Sequence, residues 1–119
     1  LPSAFSLPGI QGGWFALPSP TRANQFRERF ESIYQSVPHP IAAIAYDGVA
    51  AVGASIATGS RHALTARGLT LSSGFQGAAG IFRLREDGTI ERGLAIATIE
   101  GNQVVVLEPA PRTFNNFGF

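Results

Sequence analysis

The stretch IAAIAYDGVAAVGASI, residues 41–56, is the strongest indication of the fold in this sequence. Its apolar residues recur at intervals of three and four, which predicts one amphipathic helix. The residues of this stripe are Ile41, Ile44, Ala45, Gly48, Val49, Val52 and Ile56. Because small residues cover most of the remaining surface, we expect the helix to pack on several sides and to be largely buried.

Asp47 interrupts this apolar stretch directly after Tyr46. A buried carboxylate has to be paired, hydrogen-bonded or close to a polar cavity. Two interpretations therefore stand side by side. In the first, Asp47 accepts hydrogen bonds from neighbouring backbone or from an arginine; in the second, it lies at a ligand cleft.

A strand and a second helix are predicted upstream. GGWFAL, residues 12–17, is a short apolar run typical of a buried strand. Its aromatic residues Trp14 and Phe15 are predicted to lie in the core, and lining a pocket is the alternative. Thr21 is the candidate N-cap of the helix that follows. The apolar face of that helix consists of Phe26, Phe30, Ile33, Tyr34 and Val37.

Pro38 and Pro40 end this helix, because proline has no N–H and favours an extended conformation in the residue before it. Further along, Gly59 is the predicted C′ residue of the helix over residues 41–56. Ser60 is then a candidate cap for a short helix that runs through Ala66.

The periodicity changes in the last third of the chain. Alternating or β-branched apolar residues occur in GIFRL, TIERGLAIATI and QVVVLEP. Asp87-Gly88 and Gly101-Asn102 separate these runs, and both pairs favour tight hairpins. We therefore predict an α/β chain in which helices are followed by an antiparallel C-terminal meander of three strands.

Three glycines, Gly74, Gly77 and Gly80, raise the question of a phosphate-binding loop. Such a loop lies between a strand and a helix, and its Walker-type form includes a lysine. Here a strand follows the glycines and the chain has no lysine. We therefore interpret residues 74–80 as a turn or a crossing segment in which glycine provides the conformational freedom.

The composition argues against several function classes. Nine arginines and eight acidic residues give a formal charge of +1, too small for the basic field that nucleic-acid binding requires. Without cysteine there is neither a disulfide nor a thiolate metal site. His39 and His62 lack a second ligand at the spacing of helical metal sites, so we predict no metal and no cofactor. The serines form no G-x-S-x-G motif, and no catalytic residue is assigned.

Three segments together carry a resemblance to a known family. They are LPGIQGGWFALPSP, AIAYDGVAAVGASI and GFQGAAGIFRLREDGTIERGLAIATIEGNQVVVLEPAPRTF. Their most specific pieces are Tyr46-Asp47 in an alanine-rich helix and the glycine pattern from Gly74 to Gly88. In order and spacing they resemble the C-terminal part of periplasmic solute-binding proteins of the branched-chain amino-acid class. Within that superfamily the chain is most similar to the penicillin-binding protein activator group.

The resemblance implies a type I fold, in which two α/β lobes are joined by three crossing segments and grip a ligand between them. The implied units of this single, incomplete chain are residues 1–37 (a strand and helix of the second lobe), residues 38–76 (helices of the first lobe) and residues 77–119 (returning strands). Pro38, Pro40, Gly77 and Gly80 would be hinge or turn residues.

The resemblance also implies a non-enzymatic role in the bacterial periplasm. The chain would bind a small, polar, amino-acid-like solute for an ABC permease, or activate a penicillin-binding protein in peptidoglycan synthesis. A ligand-sensing domain of a receptor or regulator is the alternative. Ile41, Tyr46 and Asp47 are the implied ligand-cleft residues.

One early strand is too few to cover the predicted helices, since a buried sheet needs neighbouring strands and covered faces. We therefore expect further strands upstream of Leu1, together with any lipid anchor. Without them, an apolar helix face and a sheet edge would be exposed. We expect such a chain to self-associate or to pair with the missing N-terminal part.

Overall fold

The computed structural model describes residues 2–114, which form two three-stranded antiparallel sheets and three α-helices. The helices are α1 (Pro20–Tyr34), α2 (Ala42–Ala57) and α3 (Ala66–Leu69). The strands are β1 (Trp14–Leu17), β2 (Phe75–Gly77), β3 (Gly80–Leu84), β4 (Ile90–Arg92), β5 (Ala95–Glu100) and β6 (Gln103–Glu108). Two short 3-10 helices, Pro2–Ser6 and Pro8–Ile10, precede β1. Helices followed by antiparallel C-terminal strands confirm the predicted fold class.

The first sheet has the strand order β1-β5-β6 and brings together distant parts of the chain. β1 pairs antiparallel with β5, and Trp14 lies opposite Thr98. β5 continues into β6 through Gly101 and Asn102, whose φ angles are 56° and 63°. Two left-handed residues in a two-residue loop are typical of a type I′ hairpin, so the hairpin predicted here is confirmed.

The second sheet has the strand order β2-β3-β4, and α2 packs against β2. The turn between β3 and β4 contains Asp87 and Gly88. Asp87 Oδ1 accepts a hydrogen bond from Thr89 N at 2.9 Å, and Gly88 has a φ of 86°. The predicted turn is therefore confirmed, with its expected side-chain to backbone bond.

The C-terminal strands do not form one meander of three strands, as predicted, but five strands that are divided between the two sheets. The run TIERGLAIATI is split, since β4 pairs with β3 whereas β5 pairs with β1. Gly93 lies at the split, where a Cβ would be 2.8 Å from Ile81 Cγ1 and 3.0 Å from Pro111 Cγ. The chain thus changes sheets at a position where only glycine fits, and alternation of apolar residues does not reveal such a change.

α1 begins at a different cap from the one predicted. Ser19 Oγ accepts a hydrogen bond from Arg22 N at 3.4 Å, and Pro20 occupies the first helical position. Proline suits this position because its missing N–H would be unpaired there in any case. Thr21 lies inside the first turn, so its assignment as the N-cap is wrong.

The short helix also lies later than predicted. Ser60 Oγ accepts from His62 N at 3.1 Å and closes a turn rather than a helix. Thr65 is the actual N-cap of α3, because its Oγ1 accepts from Gly68 N at 3.3 Å. The predicted C′ residue of α2, Gly59, is confirmed by its φ of 72°.

The buried core is formed mainly by β3 and β5. Its largest members are Ile81, Phe82, Ile99 and Phe114. β1 contributes less than predicted, since Trp14 is 77% exposed and Phe15 is half-buried. Successive strand residues point to opposite faces, so placing both aromatic residues in one core was wrong.

Glu91 on β4 bridges two arginines. Its Oε2 accepts from Arg83 Nε and from Arg85 Nη2, each at 2.8 Å. The hydrogen bond from Arg83, and next that from Arg85, hold the pKa of the Glu91 carboxyl below its ordinary value of 4.5. A carboxyl whose pKa is lowered by folding stabilises the protein above its unfolded pKa, and that stabilisation is lost as the pH falls through the folded pKa.

We therefore expect Glu91→Gln to have a slightly lower thermal midpoint than the wild type at neutral pH, and the difference to disappear as the pH falls below 4.5. The effect is small because the groups are partly exposed. Thermal melts of both proteins between pH 7 and pH 3 measure it. A difference that stays constant with pH would contradict this role.

Candidate functional site

α2 presents three faces, because residues four positions apart lie one above another on a helix. The sheet face, which packs toward β2, consists of Asp47, Ala51 and Ser55, all buried. The groove face, which faces α1, consists of Ala42, Tyr46 and Ala50. The outer face consists of Ile41, Ala45, Gly48, Val49, Val52 and Ile56, all exposed. The prediction that the apolar stripe is buried is therefore wrong, since the small and polar sheet face lets α2 approach β2 closely.

A groove of about 540 Å³ lies between α1 and α2. α1 follows β1 of the first sheet along the chain, and α2 packs on β2 of the second sheet. The floor is the start of the β2–β3 turn, formed by Gln76, Gly77 and Ala78. The α1 wall consists of Arg22, Gln25, Phe26, Arg29, Phe30, Ile33 and Tyr34.

Aromatic side chains at every fourth position form the apolar part of the α1 wall. The ring centroids of Phe26 and Phe30 are 6.1 Å apart, and those of Phe30 and Tyr34 are 4.7 Å apart. Phe26 also contacts the opposite wall, edge to face with Tyr46 at 5.4 Å and 64°. Such edge-to-face pairs stabilise aromatic contacts beyond the area that they bury. The contact between Phe26 and Tyr46 therefore closes the groove at one point, and the groove stays open along Phe30 and Tyr34.

The charged groups in the groove are all cationic. Arg22 and Arg29 line it, seven residues apart on α1, and no carboxylate of residues 2–114 does so. Arg27 lies outside the groove and pairs with Glu31, with 3.9 Å between Nε and Oε1. A guanidinium binds a carboxylate well because two parallel N–H groups match its two oxygens. The groove is therefore suited to a small anion with an apolar body.

Asp47 lies beneath the floor of the groove and does not line it. Its side chain is 1% exposed. Oδ1 accepts a hydrogen bond from Ala78 N at 2.5 Å, and Oδ2 pairs with Arg92 Nη1 at 3.4 Å. Of the two interpretations drawn from the sequence, the structure shows the first, with both a backbone and an arginine partner. Asp47 thereby ties α2 to the β2–β3 turn.

Gly77 leaves the space that this contact needs. A Cβ at Gly77 would lie 2.5 Å from Asp47 Oδ2 and 2.7 Å from Asp47 Cγ. From the other side, Arg22 Nη1 donates to Gly77 O at 3.3 Å. The turn that forms the floor of the groove is thus bonded to α2 through Asp47 and to α1 through Arg22.

The other residues singled out from the sequence lie in different places. Ile41 occupies the N-cap position of α2 and is 63% exposed on the outer face; it is not among the residues that line the groove. Pro38 and Pro40 lie in the segment that joins α1 to α2. Gly77 and Gly80 face each other across the β2–β3 hairpin, which agrees with a turn. The connection from the second sheet back to the first lies instead at residues 93–94.

Sequence reasoning missed the arginines and the floor. Arg22 lies four residues before Phe26, and Arg29 lies three residues after it. All three side chains therefore share one face of α1. That spacing could have identified both as groove residues. Gln76 could not be found this way, since its place depends on the pairing of β2 with β3. Among residues 2–114, no group of three or more His, Cys, Asp or Glu side chains could hold a metal ion.

No protein-family model and no curated protein matches this chain. Solved structures do. A protein from Rhodospirillum rubrum assigned as a branched-chain amino acid ABC transporter has a TM-score of 0.73 and 21% identity, over 90% of this chain and 34% of that one. An ABC transporter substrate-binding protein from Desulfitobacterium hafniense, in complex with Leu, has a TM-score of 0.55 and 21% identity, over 82% and 32%.

The chain spans about a third of the length of both solved structures. In the region that the structure describes, no helix has both the length and the apolar character needed to cross a membrane. The described residues have the fold of one part of a type I periplasmic binding protein.

Proposed function

We propose that this chain is part of a non-enzymatic, periplasmic solute-binding protein that delivers a small ligand to an ABC permease. The two solved structures named above support a binding role, since both are ABC transporter proteins and one contains leucine. Neither is a penicillin-binding protein activator. Nothing in residues 2–114 favours that role or a lipid anchor, so the proposal includes neither.

The observation that carries the proposal is a groove between α1, which follows a strand of the first sheet, and α2, which packs on the second. Movement of one wall relative to the other would bend the segments that connect the two sheets. We assign Pro38 and Pro40 to one such hinge segment and residues 93–94 to another. Tyr46 would then contact the ligand, whereas Asp47 would position the floor from below.

The polar groups of the groove define the ligand that we propose. Arg29 would bind the carboxylate of an amino-acid-like solute, because Arg22 already donates to Gly77 O. The aromatic row on α1 would contact the apolar side chain of the solute. Its ammonium group would need oxygen acceptors, which the side-chain amides of Gln25 and Gln76 offer.

We expect Arg29→Ala to weaken leucine binding by about tenfold to a hundredfold, because a hydrogen bond to a charged group contributes about 1.5–3 kcal/mol. Isothermal titration of the intact gene product with leucine measures this effect. Arg27→Ala is the matched control, since Arg27 lies on the same helix outside the groove and its loss should leave the affinity unchanged.

Two results would count against this proposal. Equal losses of affinity in Arg29→Ala and Arg27→Ala would show that the groove is not the binding site. No binding of leucine, or of other small apolar carboxylates, by the wild-type protein would contradict the solute-binding role itself.

A further inference from the structure

The chain exposes far more surface than a self-contained protein of its size. Its accessible surface is 8457 Å². A compact monomer of 12.5 kDa exposes about 6,200 Å², so the excess is about 2,300 Å². The radius of gyration is 16.5 Å, whereas about 13.5 Å is typical of a compact chain of this length. An excess of this size matches what one partner buries in a permanent interface.

The outer face of α2 contributes exposed apolar side chains to this surface. Val49 is 75% exposed, Ile41 63% and Ile56 56%. Between residues 42 and 57 the only charged residue is Asp47, which is on the buried sheet face. A helix that is apolar on both its groove face and its outer face is typical of a protein interior rather than of a surface.

A second copy of the chain does not account for the exposed surface. A symmetric dimer covers one self-complementary patch. Here exposed apolar side chains also occur on the first sheet, at Trp14 of β1 and at Val106 and Leu107 of β6. A lipid surface fits no better, because membrane-bound amphipathic helices carry lysine or arginine on their polar face, and α2 has neither.

The length of the related structure indicates what covers this face. The Rhodospirillum rubrum protein matches nearly all of this chain with a third of its own length, so two thirds of it have no counterpart here. We propose that the outer face of α2 is a docking surface for further residues of the same gene product, which supply those remaining two thirds of the fold. This inference rests on the fold and on the exposed surface, and it is independent of ligand binding.

Single cysteines test the proposal, because the chain contains no cysteine of its own. Val49→Cys and Ile56→Cys place a thiol on the outer face, and Glu86→Cys places one on the exposed β3–β4 turn as a control. In the intact gene product, a maleimide should modify the two outer-face thiols about tenfold more slowly than the control thiol. In a protein consisting of residues 1–119, all three thiols should react at similar rates.

The other occupants give different results, and each would overturn the proposal. Equal maleimide rates for all three variants of the intact gene product would show that the outer face is uncovered. Rapid disulfide formation between two Val49→Cys chains would identify a second copy as the occupant. Protection of the same thiol only by phosphatidylglycerol vesicles would identify a lipid surface. A gene product of only 12.5 kDa would also exclude the proposed further residues.

Discussion

Replacing Asp47 with alanine is expected to lower the free energy of unfolding by about 3 kcal/mol, because the change breaks a buried pair and leaves its partners unsatisfied. The carboxylate is 1% exposed and holds Ala78 N and Arg92 together. Without it, Ala78 N loses its acceptor, and α2 is no longer tied to the β2–β3 turn. Arg92 is 20% exposed, so water can take over part of its interaction. Urea unfolding followed by circular dichroism measures the loss.

Two variants distinguish this role from a general effect of losing a carboxylate. Asp47→Asn keeps a carbonyl oxygen for Ala78 N and should lose about half as much stability. Glu86→Ala removes an exposed carboxylate in the β3–β4 turn and should change stability by less than about 0.5 kcal/mol. If Asp47→Ala were as stable as Glu86→Ala, the contacts of Asp47 would not stabilise the fold.

Asp47 also shows how much of the site follows from the sequence. A carboxylate inside an apolar helix must have a partner, and that much is predictable from local pattern. Which partner it has is not predictable, because Ala78 and Arg92 are 31 and 45 residues away. Those distances depend on how two sheets form, and single-sequence periodicity contains no information on such pairing.

α2 shows the opposite case: the sequence predicts the helix itself correctly, but it does not predict which face of the helix is buried. Periodicity predicts a helix over residues 41–56, and α2 covers residues 42–57. The usual rule places the larger apolar side chains inside. In this chain the small sheet face is buried instead, since short side chains allow α2 to approach the β2 backbone. The rule describes a helix with all its neighbours present, and no surface within residues 2–114 covers the outer face.

Turns and caps followed local chemistry more closely. The hairpins at Asp87-Gly88 and Gly101-Asn102 were predictable, because the left-handed conformation is found mainly in Gly and Asn. Caps were less certain, since several hydroxyl residues lie near each helix start. Ser19 and Thr65 form the caps in the structure, and neither was chosen from the sequence.

Gly77→Ala is expected to lower the free energy of unfolding by about 2 kcal/mol, a typical cost of overpacking. Its Cβ would lie 2.5 to 2.8 Å from the Asp47 carboxylate, so that carboxylate would have to move and release Ala78 N. The backbone conformation of Gly77 causes no strain of its own, because its φ is outside the left-handed region. The clash is therefore with one side chain, and removing that side chain should remove the clash.

A double-mutant cycle tests this explanation directly. In the Asp47→Ala background, Gly77→Ala should cost almost nothing, because both changes break the same contact. The coupling energy should then be about 2 kcal/mol, well above the value for independent sites. Gly53→Ala on α2 is the control: apart from its chain neighbours and the nearby backbone of its own helix, no atom lies within 4 Å of its added Cβ, and it should add up to about 1 kcal/mol of stability. Additive losses at Gly77 and Asp47 would mean that the glycine is required for another reason, and that the floor of the groove is not held by this contact.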